Sequence, residues 1–466
     1  MRRNSVFILA IVIFLFFPAS RAASGAPRTL SLKECVSIAL TNAASVQKAE
    51  QSKNLEGVDL LKSYGSFLPR LTSSARWVPA SVNRGYATSS SLLGSGSPDA
   101  FSTRTESSSV DLSLTATLNL FNGLSDYAAL QKALELQKAS GFTLRRARES
   151  VAYDVTQWYY QVLLDRELLD IARENLASSR DLLTLTDRQF KNGLKSITDL
   201  YQQQAEVSAN ELGVIRAENQ LRRSRLELVR RLRIAPDTEI DPVPVETASI
   251  AALPDNLSIE SIIASSLKKR SDLEARLLES NASRWEIKRA AGSRLPKIDL
   301  NFSVSTDAID SYSATYSGTR YDYLYPSMGR QLGNGTDYAV SFNLSWTLFD
   351  GFMTRYTVQT AKMARISRQL DYEELKEGIA IDLRQVYGDY RAAFVRIDSA
   401  KESLKAARSA YDGVLRKYEL GASGFVELSA SRTALFNARS AVTQAMYNLA
   451  LQKALLDFNS GETGIE

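Results

Sequence analysis

Gly65-Ser66-Phe67-Leu68-Pro69-Arg70-Leu71 and Gly292-Ser293-Arg294-Leu295-Pro296-Lys297-Ile298 are two versions of one segment, 227 residues apart. Working outward, Leu30-Ser31-Leu32 returns as Leu257-Ser258-Ile259 at that offset, and Leu120-Phe121-Asn122-Gly123 returns as Leu348-Phe349-Asp350-Gly351 at an offset of 228. Asp154, Gln157 and Tyr159 reappear as Asp382, Gln385 and Tyr387, and Gly193 and Leu200 as Gly421 and Leu428. Unrelated helices of similar heptad composition would not carry matched glycines and prolines at fixed places. The chain is therefore a duplication, with a first repeat over 23–235 and a second over 257–459. Between them, 236–256 is a linker in which Pro236, Pro242, Pro244 and Pro254 interrupt helical patterning, and 460–466 is a short tail.

Each repeat reads as helix, β-hairpin, long helix and return helix. The first helix runs from Ser31, its N-cap, to Tyr64, and its counterpart starts near Ser258. The long helix of the first repeat runs from near Gly123 to Phe190, about 68 residues without a proline, a length that points to coiled coil. In the second repeat Leu383, Val386, Tyr390, Ala393, Ile397, Ala400, Leu404, Ala407, Tyr411, Val414 and Tyr418 alternate spacings of three and four, the pattern of knobs-into-holes packing. The first repeat follows the same register, interrupted by Asp165, Ser179 and Thr186.

The hairpins, about 70–121 and 297–349, carry strands of period two. Val110, Leu112, Leu114, Ala116, Leu118 and Leu120 alternate with Asp111, Ser113, Thr115, Thr117 and Asn119. Tyr338, Val340, Phe342, Leu344, Trp346 and Leu348 do the same in the second copy. One face is apolar and the other small and polar, as a strand between lipid and a wet lumen requires, and about 10–12 residues suffice for a tilted crossing. Trp77, Tyr338 and Trp346 suit an aromatic membrane girdle. The intervening stretches 81–109 and 307–336 read as long loops. Four strands cannot close a bilayer-spanning barrel, for which about eight is the minimum, so at least two chains must share one.

The composition fits a passive device. The 466 residues include no histidine and one cysteine, which excludes Ser-His-Asp catalysis, histidine metal sites and internal disulfides. No metal, cofactor or nucleic-acid partner is indicated. The net charge of +5 is spread along the chain. Arg2, Arg3, the apolar run Val6 to Phe17 and Ser20-Arg21-Ala22 form a secretory signal peptide over 1–22, too short to span a bilayer. Two other classes remain open on these observations: a cell-envelope coiled-coil scaffold or adhesin without a pore, and a secreted enzyme using carboxylates.

Residues 188–199, read as Arg188-Gln189-Phe190-Lys191-Asn192-Gly193-Leu194-Lys195-Ser196-Ile197-Thr198-Asp199, resemble the first helix-tip turn of the TolC-like outer membrane factor family. Arg416-Lys417-Tyr418-Glu419-Leu420-Gly421, followed by Phe425-Val426-Glu427-Leu428, resembles the second. The resemblance spans essentially the whole mature chain. It implies a mainly α fold with a β-barrel part: a homotrimer in the outer membrane of a Gram-negative bacterium, with a twelve-stranded barrel and a coiled-coil tunnel projecting into the periplasm. It implies the exit duct of a tripartite efflux or type I secretion system, meeting outer-membrane lipid, a periplasmic adaptor and an inner-membrane pump. By the same resemblance, Tyr418, Glu427 and Asp199 would close the pore. Asn192, Gly193, Leu194, Ser196, Gly421 and Ala422 would form adaptor-docking tips. Ser423 and Ala430 stand where some members carry an arginine and a second acid, which leaves Glu427 as the ionic element.

Overall fold

The computed structural model describes residues 28–88, 100–245 and 258–463, so the signal peptide lies outside the described residues. In chain order the elements are β1 (Arg28–Leu30), α1 (Leu32–Asn42), α2 (Ala44–Gly65), β2 (Arg70–Thr88), β3 (Ala100–Asn122), α3 (Ser125–Lys191) and α4 (Ile197–Leu232). They continue as β4 (Ile240–Pro242), α5 (Ile259–Lys269), α6 (Ser271–Ala291), β5 (Lys297–Tyr316), β6 (Thr319–Tyr323), α7 (Met328–Asn334), β7 (Thr336–Ser345), α8 (Met353–Glu419) and α9 (Phe425–Ser460). The long helices α3 and α8 each have 67 residues, and the return helices α4 and α9 each have 36.

The expected single helix from Ser31 to Tyr64 is two helices. Ser31 and Glu34 form a reciprocal capping box at its start, but Ala43 leaves helical geometry at ψ 124° and ends α1. Arg270 makes the same step at ψ 119° between α5 and α6, where Asp272 accepts from its guanidinium at 2.6 and 3.0 Å. One extended residue is enough to break the ladder, and neither position carries the Gly or Pro that announces a break in sequence.

Two compact units form, and each draws on both repeats. The first combines, among the described residues, 28–43, 152–245 and 392–454. In it β1 and β4 pair in parallel, so part of the proline-rich linker is a strand. The hydroxyl of fully buried Tyr159 donates between the carbonyls of Val243 (2.7 Å) and Leu30 (3.1 Å), and burial pushes its pKa up to about 12. Cys35 is a buried thiol, raised by desolvation to about 11.

The second unit combines, among the described residues, 44–88, 100–151, 258–391 and 455–463, and it holds one antiparallel sheet. Its order is β2-β3-β5-β6, with β7 paired to β5 below β6. The strands exceed the expected crossing length: β2, β3 and β5 have 19, 23 and 20 residues. The stretches read as loops are thus partly ladder, and β6 and α7 occupy the second one. Outside hydrocarbon a strand needs no apolar face, so the alternation vanishes while backbone pairing continues. At the other end β7 stops at Ser345, so Trp346 and Leu348 lie just beyond it.

Candidate functional site

The two long helices end alike. After α3, Gly193 sits at φ +75°, its N–H bonds the Phe190 carbonyl (2.9 Å), and the Leu194 N–H bonds the Gln189 carbonyl (2.8 Å). After α8, Gly421 sits at φ +76°, bonding Tyr418, and the Ala422 N–H bonds the Lys417 carbonyl at 2.7 Å. Both are Schellman turns, which need a residue at positive φ. Asn192, Gly193, Leu194, Ser196, Gly421 and Ala422 are all exposed, so the turns are free surface on one chain.

Ser196 and Asp199 start α4 with a second capping box: the Asp199 carboxylate accepts from the Ser196 hydroxyl at 2.8 Å and from its N–H at 3.1 Å. Glu427 stands in the first turn of α9 and accepts from the Ser423 hydroxyl at 2.7 Å. Glu427 is exposed, whereas Tyr418 is fully buried with Leu182, Phe425 and Leu428. The Tyr418 hydroxyl shares a 3.1 Å hydrogen bond with Thr186, and the Lys195 ammonium lies 4.0 Å from its ring centroid. Burial raises the Tyr418 pKa, the Thr186 bond opposes that, and the charge of Asp199 adds to it. Tyr418 and Asp199 are therefore electrostatic neighbours within one chain, while Glu427 is held separately by Ser423.

Several residues here escaped the sequence reading. Lys195 ties the turns together, donating also to the Ser423 carbonyl at 3.4 Å. Arg432 of α9 is 1% exposed and bonds Glu206 of α4, yet its other terminal nitrogen and Glu206 Oε2 are buried without partners. The seam interruptions are polar bonds: Thr186 reaches Tyr418 of α8, while Ser179 and Asp165 are bonded from α4, Asp165 also from Gln161 one turn back on α3. Gln203 donates to the Ser179 carbonyl at 2.9 Å, and Gln161 and Gln220 donate to Asp165 at 3.0 and 3.2 Å. Ser179 and Thr186 at core positions of a heptad are the available signal; nothing in the sequence sets Arg432 apart from the other helix charges.

The aromatics expected at the membrane are all exposed: Trp77 at 70%, Tyr338 at 71% and Trp346 at 57%. Trp77 is opposite Val110, and Tyr338 is opposite Val304. Trp346 lies past the far end of β7, its indole N–H bonded to the Arg294 carbonyl at 3.1 Å. Ile298 to Ala308 on the apolar face spans about 33 Å of strand, about 25 Å along the normal at a 40° tilt, the height of an outer-membrane apolar band. No helix among the described residues is long and apolar enough to cross a membrane.

Residues 36–232 and 262–462 match the family model described as outer membrane efflux protein. The chain is 23% identical to the outer membrane protein TolC of Vibrio cholerae over 70% of its length and 71% of that protein's. It is 25% identical to protein CyaE of Bordetella pertussis, over 76% and 71%. Among solved structures the outer-membrane channel OprN superposes with a TM-score of 0.74 at 20% identity, covering 93% of this chain and 90% of that one.

Proposed function

The chain belongs to the outer membrane efflux protein family, and from that membership we propose that three copies form the outer-membrane exit duct of a tripartite efflux or type I secretion system. The family is one of channels rather than enzymes. The names of two relatives support export: one is an alkaline protease secretion protein of Pseudomonas aeruginosa, the other a pyoverdine export outer membrane protein of Pseudomonas putida. A periplasmic adaptor would receive the helix tips through Leu194 and its neighbours, and an inner-membrane pump would supply the energy. The chain itself would catalyse nothing.

The observation that carries the assembly is a contact made once per chain that the duplication calls for twice. Gly123, at φ +68°, meets Gly292 so closely that a Cβ on it would lie 2.1 Å from the Gly292 carbonyl oxygen. The repeat equivalents of these glycines are Gly351 and Gly65, and around each of those a Cβ would meet nothing within 4 Å. The sheet has the same asymmetry: β3 of the first repeat pairs with β5 of the second, while β7 and β2 each keep one open edge. An open edge in lipid costs several kcal/mol per unpaired backbone group. Setting Gly351 of one copy on Gly65 of the next, and β7 beside the next β2, repeats the internal contact and closes a ring.

The gate follows from the tips. Threefold symmetry would bring three Glu427 side chains to one constriction, each steadied by Ser423, while Tyr418 and Asp199 brace the helix pair behind it. The test is single-channel recording of the full-length protein in planar bilayers. Glu427→Ala is expected to raise resting conductance and weaken block by multivalent cations; unchanged values of both would remove Glu427 from the gate.

A further inference from the structure

Cross-strand partners share a face, so the ladder registers can be followed upward from the apolar band. On β3 the even residues from Leu118 to Val110 face outward, and the strand continues without a bulge through Ser108, Glu106 and Arg104 on that same face. The bulges on β2, between Val78 and Ser81, and on β5, at Asp310 between Ile309 and Ser311, reset their neighbours' parity. Above them Arg84 is opposite Arg104, Arg104 opposite Thr315, and Thr315 opposite Arg320 of β6. The row below reads Val82, Glu106, Ser313 and Asp322. Three arginines thus lie in one line across four strands, on the lipid side. The side chains agree: Glu106 pairs with Arg104 at 2.5 Å and with Arg320 at 3.5 Å.

The acids only partly neutralise this row. Asp322 and Glu106 serve Arg320 and Arg104, whereas Arg84 is exposed and has no ion pair among the described residues. Two residues along and on the same face, Tyr86 is 84% exposed. Arg104 is six residues beyond Val110, about 20 Å along the strand and about 15 Å above the apolar band. An ordinary phospholipid headgroup layer is only about 5–8 Å deep on each side, so its phosphates lie below the row. A headgroup that reaches it must carry anionic groups on a thicker scaffold.

We propose that Arg84, Arg104 and Arg320 bind the phosphate groups of the phosphorylated glycolipid in the outer leaflet, with Tyr86 against a sugar ring. The planar guanidinium forks match phosphate oxygens in pairs, and the shared Glu106 keeps two of the forks aligned. This rests on the outer-membrane reading above.

The test uses the full-length protein in detergent, with bisphosphorylated lipopolysaccharide, the same lipopolysaccharide enzymatically dephosphorylated, and inorganic phosphate as probes. Bound lipid is read by native mass spectrometry. The phosphorylated form is expected to bind about tenfold more tightly than the dephosphorylated one, in keeping with charge-assisted paired bonds. R84Q/R104Q/R320Q should abolish that preference. R84Q alone, which breaks no internal ion pair, should reduce it severalfold, and millimolar inorganic phosphate should not displace the lipid. Equal binding of both lipid forms, an unchanged preference in R84Q and the triple variant, or full displacement by inorganic phosphate would each overturn the assignment. Planar-bilayer conductance of the same samples separates the two readings: a wild type that forms pores without this lipid preference removes only the arginine site.

Discussion

At the scale of single residues, the side chains that hold the tips together are not those that composition advertises. In the sequence Arg432 and Glu206 are two more charges on two helices, yet in the structure they are a buried pair joining α4 to α9. Replacing Glu206 with Gln leaves an uncompensated buried guanidinium, a change that costs about 3–5 kcal/mol. Thermal unfolding of the purified protein should fall steeply for Glu206→Gln and hardly at all for the exposed Glu427→Ala. A milder electrostatic effect sits on α6. Three hydrogen bonds from the Arg289 guanidinium, aided by Lys132 of α3, outweigh burial and hold the Glu286 carboxyl down to about 2. A depressed acid stabilises the fold fully above its ordinary value, and that contribution is lost as pH falls through the folded value. Its partial exposure discounts the contribution to about 1–2 kcal/mol. Denaturation of wild type and Glu286→Gln should differ by that amount at neutral pH and converge as the pH drops from about 4.5 to about 2; a gap that persists in acid would show that packing, not charge, is lost.

At the scale of elements, periodicity made the coiled coil legible and chemistry hid its exceptions. Every position of the α8 seam, from Leu383 to Tyr418, is buried or half-buried. Asp165, Ser179 and Thr186 looked like faults in the α3 seam because their partners, Gln220, Gln203 and Tyr418, lie 55, 24 and 232 residues away. The break at Ala43 and Arg270 was invisible for a related reason: a single extended residue leaves no mark on a heptad. The strand extensions above the apolar band were invisible because alternation reports lipid, not pairing. The glycine junctions, by contrast, were legible as repeats, and only the structure gives them unequal duties. Gly123 combines positive φ with a backbone neighbour that cannot move aside, since Gly292 is itself hemmed by Ser125 Oγ and the Gly123 carbonyl. Gly123→Val should therefore block folding of the β3–α3 junction outright and yield no heat-modifiable protein. Gly351→Val should leave the isolated chain folded apart from the cost of φ +64°, about 1 kcal/mol or more, but prevent oligomers. Equal outcomes for the two variants would refute the inequality.

At the scale of the whole molecule, the duplication converts an internal ladder into a forecast of the external one. Inside the chain Thr117 is opposite Asn301. Shifting Thr117 forward by 228 gives Ser345, and shifting Asn301 back by 227 gives Ser74. These two serines sit on the open edges of β7 and β2, far apart in sequence. Both belong to the lumen-facing parity: Ser74 is opposite Ser113, and Ser345 alternates with outward Leu344. The forecast is therefore a match of faces as well as of register, and a slip of one residue would put an apolar side chain into the lumen. In the Ser74→Cys/Ser345→Cys variant, opposed Cβ atoms about 4.5–5.5 Å apart are within reach of mild oxidation or a short bis-maleimide. The buried Cys35 thiol should stay silent in the same reaction. Denaturing gels should then show dimers and a trimer that closes without higher species, while each single variant stays monomeric. A double variant that remains monomeric while still forming pores would mean that the copies meet in another register, and that the internal contact between the repeats is not the template for the ring.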